Sequence, residues 1–179
     1  IGDWSSDVCS SDLRGVAMSS DVYFYYLAGG SPDNGPNQFQ GLGATRLADW
    51  ARRFGLGEKS GIDVPGESAG FIPDPAWKER THGQIWTLGD TYNFGIGQGF
   101  MSATPLQMAV VTAAIANGGN VLIPHVVKGT RNANGEVEPI VRQNVRRNLG
   151  VDPRNLAVLR EGMRQAVADG TAKTAQVNE

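Results

Sequence analysis

At 179 residues, 40% of them apolar and 19% charged, the chain is long enough to bury one core and carries no compositional bias toward disorder. A formal charge of -2 and a pI near 5.7 leave no basic surface able to neutralise phosphates, which argues against a nucleic-acid partner. No apolar run reaches the roughly 18 residues of a membrane helix and no signal-peptide pattern opens the chain, so any anchor or export signal is expected upstream of Ile1.

Asp3 to Leu13, DWSSDVCSSDL, fits neither a helical nor a strand period and reads as the conceptual translation of a sequencing-library adapter. Residues 1–13 are therefore assigned to no domain, and residues 14–179 are expected to form part of one. Cys9, the only cysteine, falls in this segment, which leaves no disulfide, thiol nucleophile or thiolate ligand beyond it.

Met18-Ser19-Ser20-Asp21 then forms a small-residue turn before the aromatic run Val22 to Leu27, a helix start with Ser19 as its N-cap and Asp21 in its first turn. Gly29 to Gly43 is loop, rich in Gly, Pro and Asn. Thr45 to Phe54 places Leu47, Trp50, Ala51 and Phe54 at helical spacing, with Gly55 as a stop. The Pro65-Gly66 dipeptide makes Gly61 to Glu67 a turn, and Asp74-Pro75 opens a single helical turn carrying Trp77 and Lys78. Five glycines among aromatic and amide residues make Thr81 to Met101 a packed irregular loop.

Thr104-Pro105-Leu106-Gln107 combines a Thr N-cap, Pro at the first helical position and Gln closing a capping box, so a helix runs from Pro105 to Ala116. That helix is apolar on nearly every side and is expected to be centrally buried. Val121 to Val127 is extended, and Val126 to Lys128 pairs with Val137 to Val141 through Asn134-Gly135 as a hairpin. A last helix starts at Asp152-Pro153, puts Leu156, Leu159, Met163 and Val167 on one stripe, and ends at Asp169-Gly170.

Few residues point to chemistry on their own. His82 and His125 lie in no cluster with metal-ligand spacing. Gly95-Ile96-Gly97-Gln98-Gly99 lacks the strand and lysine of a phosphate loop and fits a close backbone approach instead. Arg52-Arg53 and Arg146-Arg147 read as solvated faces. Ser19-Ser20-Asp21 is, as a local pattern, an ordinary cap.

Its company changes its weight. The blocks SSDVYFYYLA, RRFGLGEKSGIDVPGESAGFIP, WTLGDTYNFGIGQGFMSATPLQMA and AAIANGGNVLIPHVV occur in this order, and through them the chain resembles the elongation-type class B penicillin-binding proteins over most of residues 16–172. The resemblance implies an α+β penicillin-recognising transpeptidase fold, with an antiparallel sheet flanked by helices, of which this chain supplies mainly the helical part. Its three motifs are S-x-x-K, S-x-N or S-x-D, and K-T-G or K-S-G. Ser19 and Asp21 match the second. Ser19 would relay protons to the leaving amine, and Asp21 would hydrogen-bond the motif lysine and the bound peptide backbone. The implied substrate is the D-Ala-D-Ala end of a peptidoglycan stem peptide, with β-lactams acylating the same nucleophile and no cofactor or metal. The implied setting is a periplasmic domain tethered to the inner membrane by an upstream segment, beside a membrane glycosyltransferase of the rod-elongation machinery.

The other two motifs are missing. No serine is followed three residues later by lysine, so the nucleophile is expected upstream of Val16. Lys59-Ser60-Gly61 satisfies K-S-G literally, but it runs into the Pro65-Gly66 turn and is taken as a decoy. Lys173-Thr174-Ala175 is read as linker, with the true third motif expected shortly after Gly170-Thr171-Ala172. The isolated chain is accordingly expected to be inactive. A β-lactam-sensing receptor domain and a catalytically inactive scaffold on the same fold stay open as alternatives.

Overall fold

The computed structural model describes residues 12–31, 39–139 and 144–176. It is mostly helical with two small antiparallel strand pairs, and it divides into two compact units. The first comprises Ile1–Trp50, Pro73–Met101 and Val151–Glu179; the second comprises Ala51–Ile72 and Ser102–Gly150. No described helix is long and apolar enough to cross a membrane.

The first unit contains α1 (Asp12–Ala17), α2 (Asp21–Gly29) and most of α3 (Gly43–Arg53). It also holds α4 (Pro75–His82), α5 (Leu88–Gly95) and α7 (Pro153–Ala168). Most of the segment assigned to an adapter lies outside the described residues, but its last two, Asp12 and Leu13, open α1, and the Tyr23 hydroxyl donates to the Asp12 carboxylate at 2.7 Å. Helix α2 packs on α5 through missing side chains. A Cβ at Gly29 would stand 2.7 Å from Cδ1 of Tyr92, and one at Gly95 would strike Ala28. Gly95 therefore serves a close approach, as expected of the glycine-rich stretch.

Two expectations for this unit need correction. Asp74 caps not one turn but the eight residues of α4, its carboxylate accepting from the Trp77 amide at 2.8 Å. The presumed irregular loop between Thr81 and Met101 contains α5, started by a reciprocal capping box between Thr87 and Asp90. Asp90 also accepts from the Lys78 ammonium at 2.7 Å, so the box is tied to α4.

The second unit contains α6 (Pro105–Ala116), β1 (Asn120–Leu122), β2 (Gly129–Arg131), β3 (Val137–Pro139) and β4 (Val145–Asn148). The capping box forms as expected: the Gln107 amide donates to the Thr104 hydroxyl at 3.1 Å, and the Thr104 amide donates to Oε1 of Gln107 at 2.9 Å. The other end of the Gln107 side chain, 2% exposed, donates to the carbonyls of Glu58 at 2.9 Å and Ala69 at 2.7 Å. It thereby ties the turn before α6 to the helix.

Central burial of α6 is not observed. Ala114 and Ile115 are buried, but Met108 is 48% exposed, and Leu106, Ala109, Val110 and Ala113 line an open groove of ≈ 560 Å³ with residues of β1 and β4. An apolar circumference marks what a helix can bury, and here only one face is covered.

The hairpin is present with its first strand three residues later than expected and its second starting at Val137 as expected, β2 pairing with β3 in the register Gly129↔Pro139, Thr130↔Glu138 and Arg131↔Val137. Val126 and Val127 cannot join the ladder, because their amides donate to the Asp63 carboxylate at 2.8 and 3.2 Å. Val141 lies outside the described residues. Strand β4 pairs antiparallel with β1, a pairing the sequence did not suggest. Its Arg146 and Arg147 are not merely solvated: both donate to the Glu58 carboxylate, Arg146 also to the Lys59 carbonyl at 2.5 Å and Arg147 to the Arg52 carbonyl at 3.0 Å.

Candidate functional site

The turn Met18-Ser19-Ser20 lies between α1 and α2, and the backbone accounts for it bond by bond. The amide of Ser20 donates to the Gly15 carbonyl at 3.0 Å and that of Ser19 to the Val16 carbonyl at 3.1 Å. These are the nested six-to-one and five-to-two bonds of a Schellman motif, with Ser19 at the position one past the helix cap. That position requires a left-handed backbone, and Ser19 has φ 50, making it the one non-glycine among the described residues with positive φ.

Ser20, not Ser19, is the N-cap of α2, accepting from the Tyr23 amide at 3.4 Å. The expectation of a Ser19 cap fails because the Schellman turn extends to Ser20, leaving Ser19 with the wrong φ for a cap. Among the described residues the Ser19 hydroxyl makes no hydrogen bond, and the residue is exposed. Asp21, also exposed, is the first residue of α2, where the unpaired amides favour a carboxylate. The structure thus places Ser19 and Asp21 on the two sides of one helix–helix elbow.

The elbow is braced by residues that sequence reasoning did not single out. The Tyr23 ring covers Gly15, where a Cβ would lie 2.6 Å from the ring, and its hydroxyl reaches Asp12. From the other end of the unit, the Thr171 amide donates to the Ala17 carbonyl at 3.4 Å. The only sequence signals for this bracing were Gly15 and Gly170 themselves, and a lone glycine reads first as a helix breaker.

Lys59-Ser60-Gly61 is confirmed as a loop. The Glu67 carboxylate accepts from the Ser60 amide at 2.5 Å and the Gly61 amide at 3.1 Å. Burial pushes the Glu67 carboxyl up, but the hydrogen bonds from Ser60 and Gly61 and the Lys59 charge outweigh it, and its pKa lies below the usual value. Amides held this way cannot pair with an extended substrate. Lys173–Ala175 is a single 3-10 turn rather than a strand. His82 stacks on Phe100 with ring centroids 5.2 Å apart and meets Trp77 edge-on, a packing role.

The family model described as "Penicillin binding protein transpeptidase domain" matches residues 1–179. The Acinetobacter baumannii protein named peptidoglycan D,D-transpeptidase MrdA is 37% identical over 163 residues, which are 89% of this chain and 22% of that protein. The crystal structure of Pseudomonas aeruginosa PBP2 in complex with WCK 5153 superposes with a TM-score of 0.71 at 35% identity, over 90% of this chain and 34% of that one. Helicobacter pylori PBP2, solved as a complex with MreC, gives a TM-score of 0.62 at 31% identity, over 86% of this chain and 25% of that one. The chain thus spans about a fifth to a third of these relatives.

Proposed function

We propose, from the premise that this chain belongs to the penicillin-binding protein transpeptidase family, that it is one segment of a peptidoglycan D,D-transpeptidase in which Ser19 and Asp21 form the second catalytic motif. The observation that carries this reading is the backbone of Ser19. A serine occupies a left-handed position that glycine serves better, while its hydroxyl bonds to no described residue. Side chains held in sparsely populated backbone regions cluster at active sites.

In the proposed reaction, a serine supplied by the rest of the polypeptide attacks the carbonyl carbon of a D-Ala-D-Ala bond. The lysine of the first motif takes that serine's proton as the new C–O bond forms, and the proton reaches the departing D-Ala amine through Ser19 as the C–N bond breaks. The amine of a second stem peptide then attacks the ester, restoring the serine hydroxyl and forming the cross-link. Asp21, beside Ser19 at the start of α2, orients the lysine of the first motif and the peptide backbone. A β-lactam enters the same pathway with its ring amide as the leaving group, which stays attached and blocks the second step. The proposed setting is a periplasmic domain tethered to the inner membrane, acting with a membrane glycosyltransferase and other members of the rod-elongation machinery.

The test is covalent labelling of the full-length polypeptide with a fluorescent penicillin. Wild type is expected to give a one-to-one adduct, and Ser19→Ala is expected to label roughly 10²–10⁴ times more slowly while folded. No adduct in the wild type, or equal rates in the two proteins, defeats the reading.

A further inference from the structure

Gly170 presents an unexplained glycine. Helix α7 ends at Ala168, with Asp169 as its cap and both Asp169 and Gly170 donating to the Gln165 carbonyl at 2.9 Å. A glycine just past a helix ordinarily supplies a left-handed residue, yet Gly170 is not among the positive-φ residues of the chain. Its backbone is open to any amino acid. What excludes a side chain is space: a Cβ would collide with the Ala17 carbonyl oxygen and stand 2.7 Å from Cα of Ala166. Both obstacles are backbone, which cannot rotate aside.

The Ala17 carbonyl is the one that the α1 terminus cannot satisfy by itself. The carbonyls of Arg14, Gly15 and Val16 receive the amides of Met18, Ser20 and Ser19, and that of Ala17 receives the amide of Thr171. Ala17 is 6% exposed and stands two residues before Ser19. A second glycine on α7, Gly162, also faces α1, where a Cβ would meet Cβ of Val16 at 2.9 Å.

We propose that Gly170 and the backbone amide of Thr171 are positioning elements for Ser19. By admitting the Ala17 carbonyl and then hydrogen-bonding it, they fix the last fixed point before the left-handed turn and so set where the Ser19 hydroxyl stands. The proposal rests on the catalytic reading of Ser19. It also gives a physical link between the segment following α7 and the elbow, because any shift of Gly170-Thr171 moves the carbonyl against which that elbow is folded.

The test uses the full-length polypeptide and its reaction with a chromogenic cephalosporin, separating the half-saturating concentration from the limiting acylation rate constant. Gly170→Ala adds the colliding Cβ, and Thr171→Pro removes the donor without adding an atom at 170. Both are expected to lower the rate constant roughly 10–100-fold, the scale of a misplacement near 1 Å, with half-saturation within threefold of wild type. Gly29→Ala, whose Cβ would meet the Tyr92 ring at the opposite end of α2, serves as control, expected to lose thermal stability but to acylate normally per folded molecule. Acylation losses in Gly170→Ala and Thr171→Pro that merely track the folded fraction would overturn the proposal. Should both variants fail to fold, hydrogen exchange in the wild-type protein decides: a protected Thr171 amide supports the proposal and a freely exchanging one overturns it. Failure of the wild type to acylate would instead overturn the catalytic reading, and this proposal with it.

Discussion

Replacing Ser19 by glycine should raise stability and destroy function, a pairing that an ordinary structural residue cannot produce. A left-handed backbone costs an L-residue roughly 1–2 kcal/mol, and Ser19 carries φ 50. Glycine removes that cost but adds roughly 0.5–1 kcal/mol of freedom to the unfolded chain, so the net gain is at most about 1.5 kcal/mol. For a domain of this size, that raises Tm by up to about 6 °C. Ser19→Ala keeps the backbone cost and should melt near the wild type. Ser20→Ala loses the cap on Tyr23; because that bond is long, at 3.4 Å, the loss should fall at the lower end of the usual range of about 0.5–2 kcal/mol. Acylation of the full-length polypeptide by a fluorescent penicillin orders the variants differently. Ser19→Gly and Ser19→Ala should both slow by roughly 10²–10⁴, while Ser20→Ala should follow its folded fraction. A stabilised Ser19→Gly that acylates at the wild-type rate would reduce Ser19 to a misfit in a turn, and a destabilised one would refute the strain assigned to it.

Three further outcomes are expected. The isolated 179-residue chain should form no covalent adduct with a penicillin by intact-mass measurement, since no serine in it is followed three residues on by lysine; a stable one-to-one adduct contradicts this. Gln107→Ala should cost about 1.5–4.5 kcal/mol in denaturant unfolding, because it strips donors from the part-buried carbonyls of Glu58 and Ala69 and an acceptor from the Thr104 amide, at roughly 0.5–1.5 kcal/mol each; a loss under about 1 kcal/mol would show that water replaces the side chain. Burial pushes the Asp90 carboxyl up, but hydrogen bonds from Lys78 and Thr87 together with the Lys78 charge outweigh it, so its folded pKa lies below 3.8. With the folded value depressed, its contribution is complete above the unfolded pKa of about 3.9 and is lost as pH falls through the folded one, so Asp90→Asn should flatten the acid limb of the stability profile, and an unchanged limb would refute the assignment.

What could be read from sequence was what adjacent residues decide together. Thr104, Pro105 and Gln107 agree on one helix start, and the structure reproduces that capping box. Gly55 was expected to stop α3 and does so with φ +92. The misses share a different cause. Helix α5 was hidden because Asp90 rather than Glu or Gln closes its box and because Gly95 looked like loop, whereas it is there to let α2 approach. Ser19 and Ser20 are indistinguishable as cap candidates until one knows that the preceding turn claims the amides of both. The hairpin slipped because a carboxylate 63 residues away in sequence from Val126 captures that residue's amide. Arg146 and Arg147 were misjudged for the same reason, since their partner Glu58 lies nearly ninety residues back.

The distribution of bonded groups bears on which residues remain for chemistry. Most carboxylates near the matching blocks are engaged by the fold: Asp63 holds the amides of Val126 and Val127, Glu67 those of Ser60 and Gly61, Asp74 that of Trp77, and Asp90 a lysine and a threonine. The Ser20 hydroxyl is likewise engaged, by Tyr23. Ser19 and Asp21 differ: both are exposed, both sit at one elbow, and neither side chain bonds to another described residue. Exposed polar groups without structural duties are ordinary on a surface. An exposed serine in a glycine's backbone position is not, and here the elbow around it is braced from two directions, by Tyr23 on Gly15 and by Thr171 on Ala17. The backbone of the elbow is thus held from both sides while the Ser19 hydroxyl bonds to no other described residue, which is the arrangement that the proposed proton relay requires.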